Sequence, residues 1–153
     1  LVLAGTGNYM SQVHELIRKH KVEDKVVLTG MLKPSQLRQL TPRAFAGLTL
    51  FDQTGLNQYH SLANRYFDYV QAGIPQVCVG YPEYQALQQQ FEVALLIDQP
   101  TTQGIAEAMN KLLNDSVLYE RLRQSAIDAG PQWNWDREAG RLVAFWNEIL
   151  PLH

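Results

Sequence analysis

Cysteine is almost missing from this sequence: Cys78 stands alone, so no internal disulfide can form and no cysteine-based zinc site can be assembled. A reducing, cytoplasmic compartment is the expectation. Strong charge of either sign is missing too, since 13 basic and 15 acidic residues leave a formal net charge of -2. That balance offers no electrostatic reason to expect nucleic acid or an anionic membrane surface as a partner. No apolar run approaches the roughly 20 residues of a membrane helix, and the start lacks the charged region and cleavage site of a signal peptide. His14, His20, His60 and His153 share no metal-ligand spacing with one another or with an acid, so neither a metal nor a cofactor is expected. Internal repeats, low-complexity segments and flexible linkers are also lacking.

What is present is ordinary globular material: 153 residues, 46% hydrophobic and 18% charged, a length that calls for one domain with a respectable core. The chain opens directly inside the apolar run "LVLAGTGN" with no methionine before it, as expected for a piece of something longer. Apolar runs with β-branched residues alternate with helical patterns, which predicts βαβ units and a parallel sheet. Strands are expected at 1–4, 25–29, 46–51, 76–79 and 94–97. Val13, Leu16 and Ile17 recur at helical spacing among Lys and Arg, predicting an amphipathic crossover helix. Further helices are expected at 35–40, 63–71, 82–91, 103–113, 116–129 and 136–150. Gly73 and Pro75 stop the second of these, Pro82 starts the third, Thr101 or Thr102 caps the fourth, and Gly130 with Pro131 breaks the chain before the last.

In an open parallel sheet, ligands bind beyond the carboxyl ends of the strands. That rule selects residues 5–8, 30–34, 52–64 and 80–83. The third segment matters most, because loops of about 12 residues in compact domains are usually functional or disordered. It leads straight into "SLANRYFDYVQAGIP", where an amide, a guanidinium and a carboxylate gather at a helix start beside an apolar face. The N-terminus of a helix presents unpaired N–H groups and positive dipole charge that suit a phosphate, and Ser61 and Ala63 leave the backbone approachable. Asp68 can accept hydrogen bonds from vicinal hydroxyls such as those of a ribose, and Arg65 can neutralise phosphate charge. The bland alternative is a solvated Arg65–Asp68 pair at i,i+3, worth only about 0.2–0.5 kcal/mol.

The other candidates read as structural. "AGTGN" is a tight strand-to-helix turn that needs glycine with or without a phosphate. His60 can reach a polar ligand from the long loop, whereas His14 and His20 belong on a solvated helix face and His153 ends the chain. Cys78, between Val77 and Val79, is expected as a small buried filler. Trp133, Trp135 and Trp146 are expected to pack the last helix onto the body.

The stretches "LVLAGTGNY", "VEDKVVLTGML", "SLANRYFDYVQAGIPQV" and "LLNDSVLYERLRQSAIDAG", in this order, resemble the C-terminal, donor-binding domain of family 4 (group 1) retaining glycosyltransferases of the GT-B type. The likeness spans nearly the whole chain, and its most specific part is the run from Asn64 to Pro75, similar to the family's "PNKxFEYxxAGxP". It implies an α/β fold, a Rossmann-like parallel sheet with helices on both faces, forming the C-terminal half of a GT-B fold. It also implies that Asp68 stands where the family's ribose-binding carboxylate stands, one methylene shorter. Ala63 replaces a proline, Arg65 a lysine, and His60 the second acid that many relatives carry eight positions before the ribose carboxylate. The segment resembles the branch with "SLPNK", in which the loop backbone and helix N-terminus carry more of the diphosphate contact. That resemblance marks His60, Ser61, Leu62, Asn64, Arg65 and Asp68 as donor-binding residues, and Gly30, Met31 and Leu32 as the place where the nucleotide base is held.

The activity so implied is transfer of a sugar from a nucleotide diphosphate donor to an acceptor hydroxyl with retention, in surface polysaccharide or other glycan synthesis. Two alternatives stand beside it: a GT-B nucleotide-sugar epimerase, and a non-catalytic binding module of the same fold. The family's basic diphosphate residues and its acceptor domain lie outside these 153 residues. The chain is therefore expected to be a partial donor domain, inactive alone, whose acceptor glycan or lipid-linked sugar and any contact with the inner face of a membrane belong to the missing domain. Its first strand would present an open sheet edge through which the piece could self-associate.

Overall fold

A computed structural model describes residues 1–150, so His153 lies outside the described residues. All five expected strands form, as β1 (Val2–Ala4), β2 (Val27–Gly30), β3 (Gly47–Thr49), β4 (Gln76–Val79) and β5 (Ala94–Ile97). The expected single sheet is divided: β1 and β2 pair in one parallel sheet, and β3, β4 and β5 in a second parallel sheet with β4 central. The chain correspondingly separates into two compact units, Leu1–Leu40 and Thr41–His153.

The first unit consists of β1, α1 (Met10–His20), β2 and α2 (Pro34–Leu40). Helix α1 ends at Lys21, which adopts φ 53° and bonds its N–H to carbonyls of the last turn, with Arg18, Lys19 and His20 placed favourably at the negative end of the helix dipole. No residue of either helix is buried, and every residue of β1 is exposed. His14 and His20 are accordingly exposed, as expected.

The second unit holds the core. Beyond β3, β4 and β5 it contains a 3-10 turn at Thr41–Arg43 and helices α3 (Leu56–Tyr59), α4 (Asn64–Gln71), α5 (Pro82–Gln88), α6 (Thr102–Asn114), α7 (Ser116–Ala129) and α8 (Trp135–Ile149). All four residues of β4 are buried, and because alternate side chains leave a strand in opposite directions, both of its faces are covered. One apolar cluster joins Tyr66 and Val70 of α4 with Cys78, Val79, Tyr84, Val93 and Ala126. The other joins Val77 with Ala108 and Leu112 of α6 and with Leu118 and Leu122 of α7. Cys78 is thus the buried filler its neighbours suggested, and burial raises its thiol pKa well above the ordinary range.

Two regions depart from expectation. The 52–64 stretch is not all loop, since Gly55 in extended backbone starts the single turn α3. Trp133 packs as expected, edge-on to Phe91 at 5.4 Å and near Tyr66 and Phe67, but Trp135 is 69% exposed and Trp146 50%. The last helix begins one residue early because Asn134 caps it, accepting from the Arg137 N–H, and none of its residues is buried.

Candidate functional site

Helix α4 starts where the sequence places a site, and its start is bare. Ala63 is the N-cap residue, in extended backbone with no side chain to accept from the first turn. The first-turn N–H groups that a Ser or Asp cap would satisfy therefore lack a cap from their own sequence. At 3.6 residues per turn, Asn64, Arg65 and Asp68 fall along one side of the helix, and all three are exposed. Tyr66 and Val70 fall on the opposite side and are buried. A buried-looking helix can carry three polar groups because they share the one face that the core does not take.

The far end of α4 is fixed firmly. Gly73 adopts φ 65°, donating to the Val70 carbonyl at 2.9 Å while Ile74 donates to Tyr69 at 3.1 Å, the paired bonds of a Schellman cap. The amide of Gln71 donates to the carbonyls of Gly130 and Trp133, each at 2.9 Å, tying α4 to the end of α7. Buried Gln76, the first residue of β4, accepts from the Thr49 hydroxyl at 2.8 Å and donates to the Tyr66 carbonyl at 3.1 Å, so a buried polar side chain is used, through both its oxygen and its nitrogen, in seating α4 on β3 and β4.

Around the bare N-terminus the geometry is equally specific. The Arg65 guanidinium lies 4.8 Å from the centre of the Phe51 ring, a cation–π contact worth about 0.5–1 kcal/mol at an exposed position. It holds the charge beside the end of β3. His60 ends α3, is exposed, and meets Tyr59 edge-on at 4.9 Å. The Ser61 hydroxyl donates to the Gln58 carbonyl at 3.3 Å, and Leu62 is exposed. Asp52, at the start of the loop, accepts from both the hydroxyl and the N–H of Thr54, at 2.6 and 3.2 Å, and these bonds lower its pKa below the ordinary carboxylate value.

Three residues absent from the sequence reading emerge here. Tyr84, fully buried in α5, accepts a hydrogen bond from the Ala63 N–H at 3.0 Å. Tyr81 donates to the Phe51 carbonyl at 2.6 Å, and Phe51 carries Arg65. Desolvation raises both phenol pKa values, so both hydroxyls stay protonated at neutral pH. The signal for them in the sequence was faint: two tyrosines three apart at a proline-started helix, indistinguishable there from core packing.

The structure gathers His60, Ser61, Leu62, Asn64, Arg65 and Asp68 into one α3–α4 corner of the second unit. Gly30, Met31 and Leu32 belong to the first unit, where Gly30 ends β2 and the chain bends at Met31. Gly30, the last residue of β2, adopts φ 65° and its carbonyl accepts from the Gly5 N–H at 2.8 Å, so the residue that follows β1 is bonded to the end of β2. A Cβ at Gly5 or Gly30 would meet nothing within 4 Å, and Met31 is 75% exposed, which leaves this end of the sheet open to a ligand. No group of three or more His, Cys, Asp or Glu among the described residues is arranged to hold a metal ion. No helix among the described residues is long and apolar enough to cross a membrane.

An α/β chain of parallel strands with helices covering both faces of β4 has the Rossmann-like form of the C-terminal half of a GT-B fold. The solved structure of sucrose-phosphate synthase from Thermosynechococcus elongatus has this fold, superposing with a TM-score of 0.80 at 15% identity over 97% of the present chain. The chain corresponds to only 38% of that synthase. The family model for glycosyl transferases group 1 matches residues 1–129, and the chain belongs to that family. No curated protein matches it significantly.

Proposed function

We propose that this chain is the donor-binding part of a retaining, family 4 glycosyltransferase, which moves a sugar from a nucleotide diphosphate to an acceptor hydroxyl in surface polysaccharide or other glycan synthesis. The observation that carries the reading is the α4 N-terminus: no side-chain cap, Asn64, Arg65 and Asp68 on its exposed face, and a buried opposite face that fixes it. As the glycosidic bond to the donor breaks, the departing nucleotide diphosphate gains negative charge. Backbone N–H groups at the start of α4, together with the Arg65 guanidinium, stabilise that charge more in the transition state than before it. Asp68, one turn further, holds the ribose hydroxyls, while Gly30, Met31 and Leu32 hold the base and His60, Ser61 and Leu62 line the donor side of the loop. No general base is needed in this part.

The acceptor glycan or lipid-linked sugar, and any contact with the inner face of a membrane in the cytoplasm, fall to a further domain of the full-length protein, so the chain alone does not turn over a nucleotide sugar. Alone, its open β1 edge favours self-association. His60 and Asp68, which depart from the acids of relatives, motivate one rival: a domain that keeps the fold without the chemistry.

The test is Asp68→Asn in the full-length protein. The amide keeps the shape but removes the charge, and donor binding is expected to weaken by about 1.5–3 kcal/mol, the worth of hydrogen bonds to a charged group. Stability is expected to change little. Calorimetry with UDP, GDP and their sugars at millimolar concentration reads the binding. An unchanged dissociation constant removes Asp68 from the site, and no heat from any of them for the unmutated protein favours the non-catalytic rival.

A further inference from the structure

The loop between β3 and α4 is held at both ends by one short helix. At its near end the Tyr81 hydroxyl donates to the Phe51 carbonyl at 2.6 Å, and at its far end the Tyr84 hydroxyl accepts from the Ala63 N–H at 3.0 Å. Both tyrosines are at most 1% exposed, and they sit three residues apart at the start of α5, whose own start is fixed by Pro82. Their rings also pack against the elements they hold: Tyr84 lies 5.1 Å from Tyr66 of α4, and Tyr81 lies 5.1 Å from Tyr59 of α3. The two bonds span 30 and 21 residues of sequence, so they are not products of local helix formation.

Their consequences fall on the groups that would meet the donor. Phe51 carries the Arg65 guanidinium, so fixing its backbone fixes where that charge sits. Ala63 is the cap position of α4, and the bond from its N–H to Tyr84 sets where the helix begins and which N–H groups stay open to a ligand. A group that must meet a phosphate to within a fraction of an ångström gains from such support, because a loosely held site spends binding energy on ordering itself.

We propose that Tyr84, seconded by Tyr81, is a positioning residue for the donor diphosphate, clamping the two ends of the 52–63 loop so that the α4 N-terminus and Arg65 are pre-placed. This rests on the donor-site reading above. Neither tyrosine touches the ligand; each acts through the backbone atom it holds.

The experiment uses the full-length protein with Tyr84→Phe, which deletes one oxygen and leaves the ring, and with Tyr119→Phe as a control that makes the same chemical change elsewhere. Tyr119 also donates its hydroxyl to a backbone carbonyl, that of Phe45 at 3.0 Å, well away from α4 in sequence. Three quantities are read on each: the UDP and GDP dissociation constants, the melting temperature, and hydrogen exchange at the Ala63 amide. For Tyr84→Phe we expect faster exchange at Ala63 and nucleotide binding weaker by about 3- to 10-fold, the scale of one lost hydrogen bond. Tyr81→Phe is expected to weaken binding by a smaller factor with unchanged Ala63 exchange. Tyr119→Phe is expected to leave both the nucleotide dissociation constants and the Ala63 exchange as they were.

Unchanged exchange at Ala63 in Tyr84→Phe overturns the clamp itself. Faster exchange with an unaltered dissociation constant overturns the positioning role while the donor site stands. If the unmutated protein binds neither nucleotide, the donor-site reading fails and takes this inference with it. An equal loss of affinity in Tyr119→Phe shows a general stability effect and overturns the specific role.

Discussion

Helices α4 and α8 carry the same kind of message in sequence and meet opposite ends in the fold. Each is amphipathic, each places aromatic residues along one side, and each follows a turn rich in small or polar residues. Helix α4 delivers its apolar side into the core, where Tyr66 and Val70 are buried and α7 and β3 pack against it. Helix α8 buries nothing, and Trp135, Leu142, Val143, Phe145, Trp146 and Ile149 all remain exposed. An amphipathic pattern therefore says that a helix has a face to bury. Whether anything within the same unit receives that face depends on contacts made far away in sequence.

The sharpest way to break the comparison is truncation on the buried side. Tyr66→Ala removes a fully buried ring that touches Phe67, Tyr84 and Trp133, and should cost about 3–5 kcal/mol in chemical denaturation. A loss under about 1 kcal/mol would mean that α4 is not the core element described here. Next in size is Gly47→Ala. A Cβ there would lie 2.3–2.5 Å from ring atoms of Tyr69, so that ring or the helix that carries it must shift, at a cost of about 1–3 kcal/mol seen as a lower melting temperature.

A smaller effect, of opposite sign, is expected from Tyr66→Phe. The Tyr66 hydroxyl is buried without a hydrogen-bond partner, so deleting it is expected to raise stability by about 1 kcal/mol or leave it unchanged, not lower it. The same group gives a pH dependence. Burial raises the Tyr66 phenol pKa well above the ordinary value, with Cys78 and Tyr84 adding to the effect, and the protonated form is the one the fold accepts. A group whose pKa is higher folded than unfolded contributes stability that is whole below its unfolded value, about 10 for tyrosine, and lost as pH rises toward the folded value. Denaturation midpoints should thus fall above about pH 10, and less steeply in Tyr66→Phe. An identical alkaline slope in the two proteins would contradict the burial of that phenol.

The smallest effect belongs to α8. Trp146→Ala, though it deletes the largest side chain type, should change the stability of this chain by only a few tenths of a kcal/mol, since the ring is already half in water. A cost comparable with that of Tyr66→Ala would show that α8 packs after all.

The sequence carried most of the element map. Strands β4 and β5 and helix α7 fall on the expected residues, because their signals are local: β-branched runs bounded by turn residues, and an Asp115 whose carboxylate accepts from the Leu118 N–H to start α7. Strands β1, β2 and β3 are shorter than expected, since pairing and not composition ends a strand. The α4 trio was also legible, because Asn64, Arg65 and Asp68 interrupt an apolar pattern at a helix start. Tyr81, Tyr84 and Phe51 were not. Each looks like core in one dimension, and what sets them apart is a single polar atom meeting a backbone group 21 or 30 residues away.

Local order, then, was written in the chain itself: alternating strands and helices, Gly73 ending α4 and Thr101 capping α6, because caps, periods and φ restrictions act over a few residues. Tertiary structure alone decided that one sheet becomes two, that α4 is buried on one face while α8 buries nothing, and that Tyr81 and Tyr84, at the start of α5, hold the ends of the loop leading to α4. Those outcomes depend on which distant surfaces meet, and a pattern with a period of two or 3.6 residues specifies that a face exists without specifying its partner.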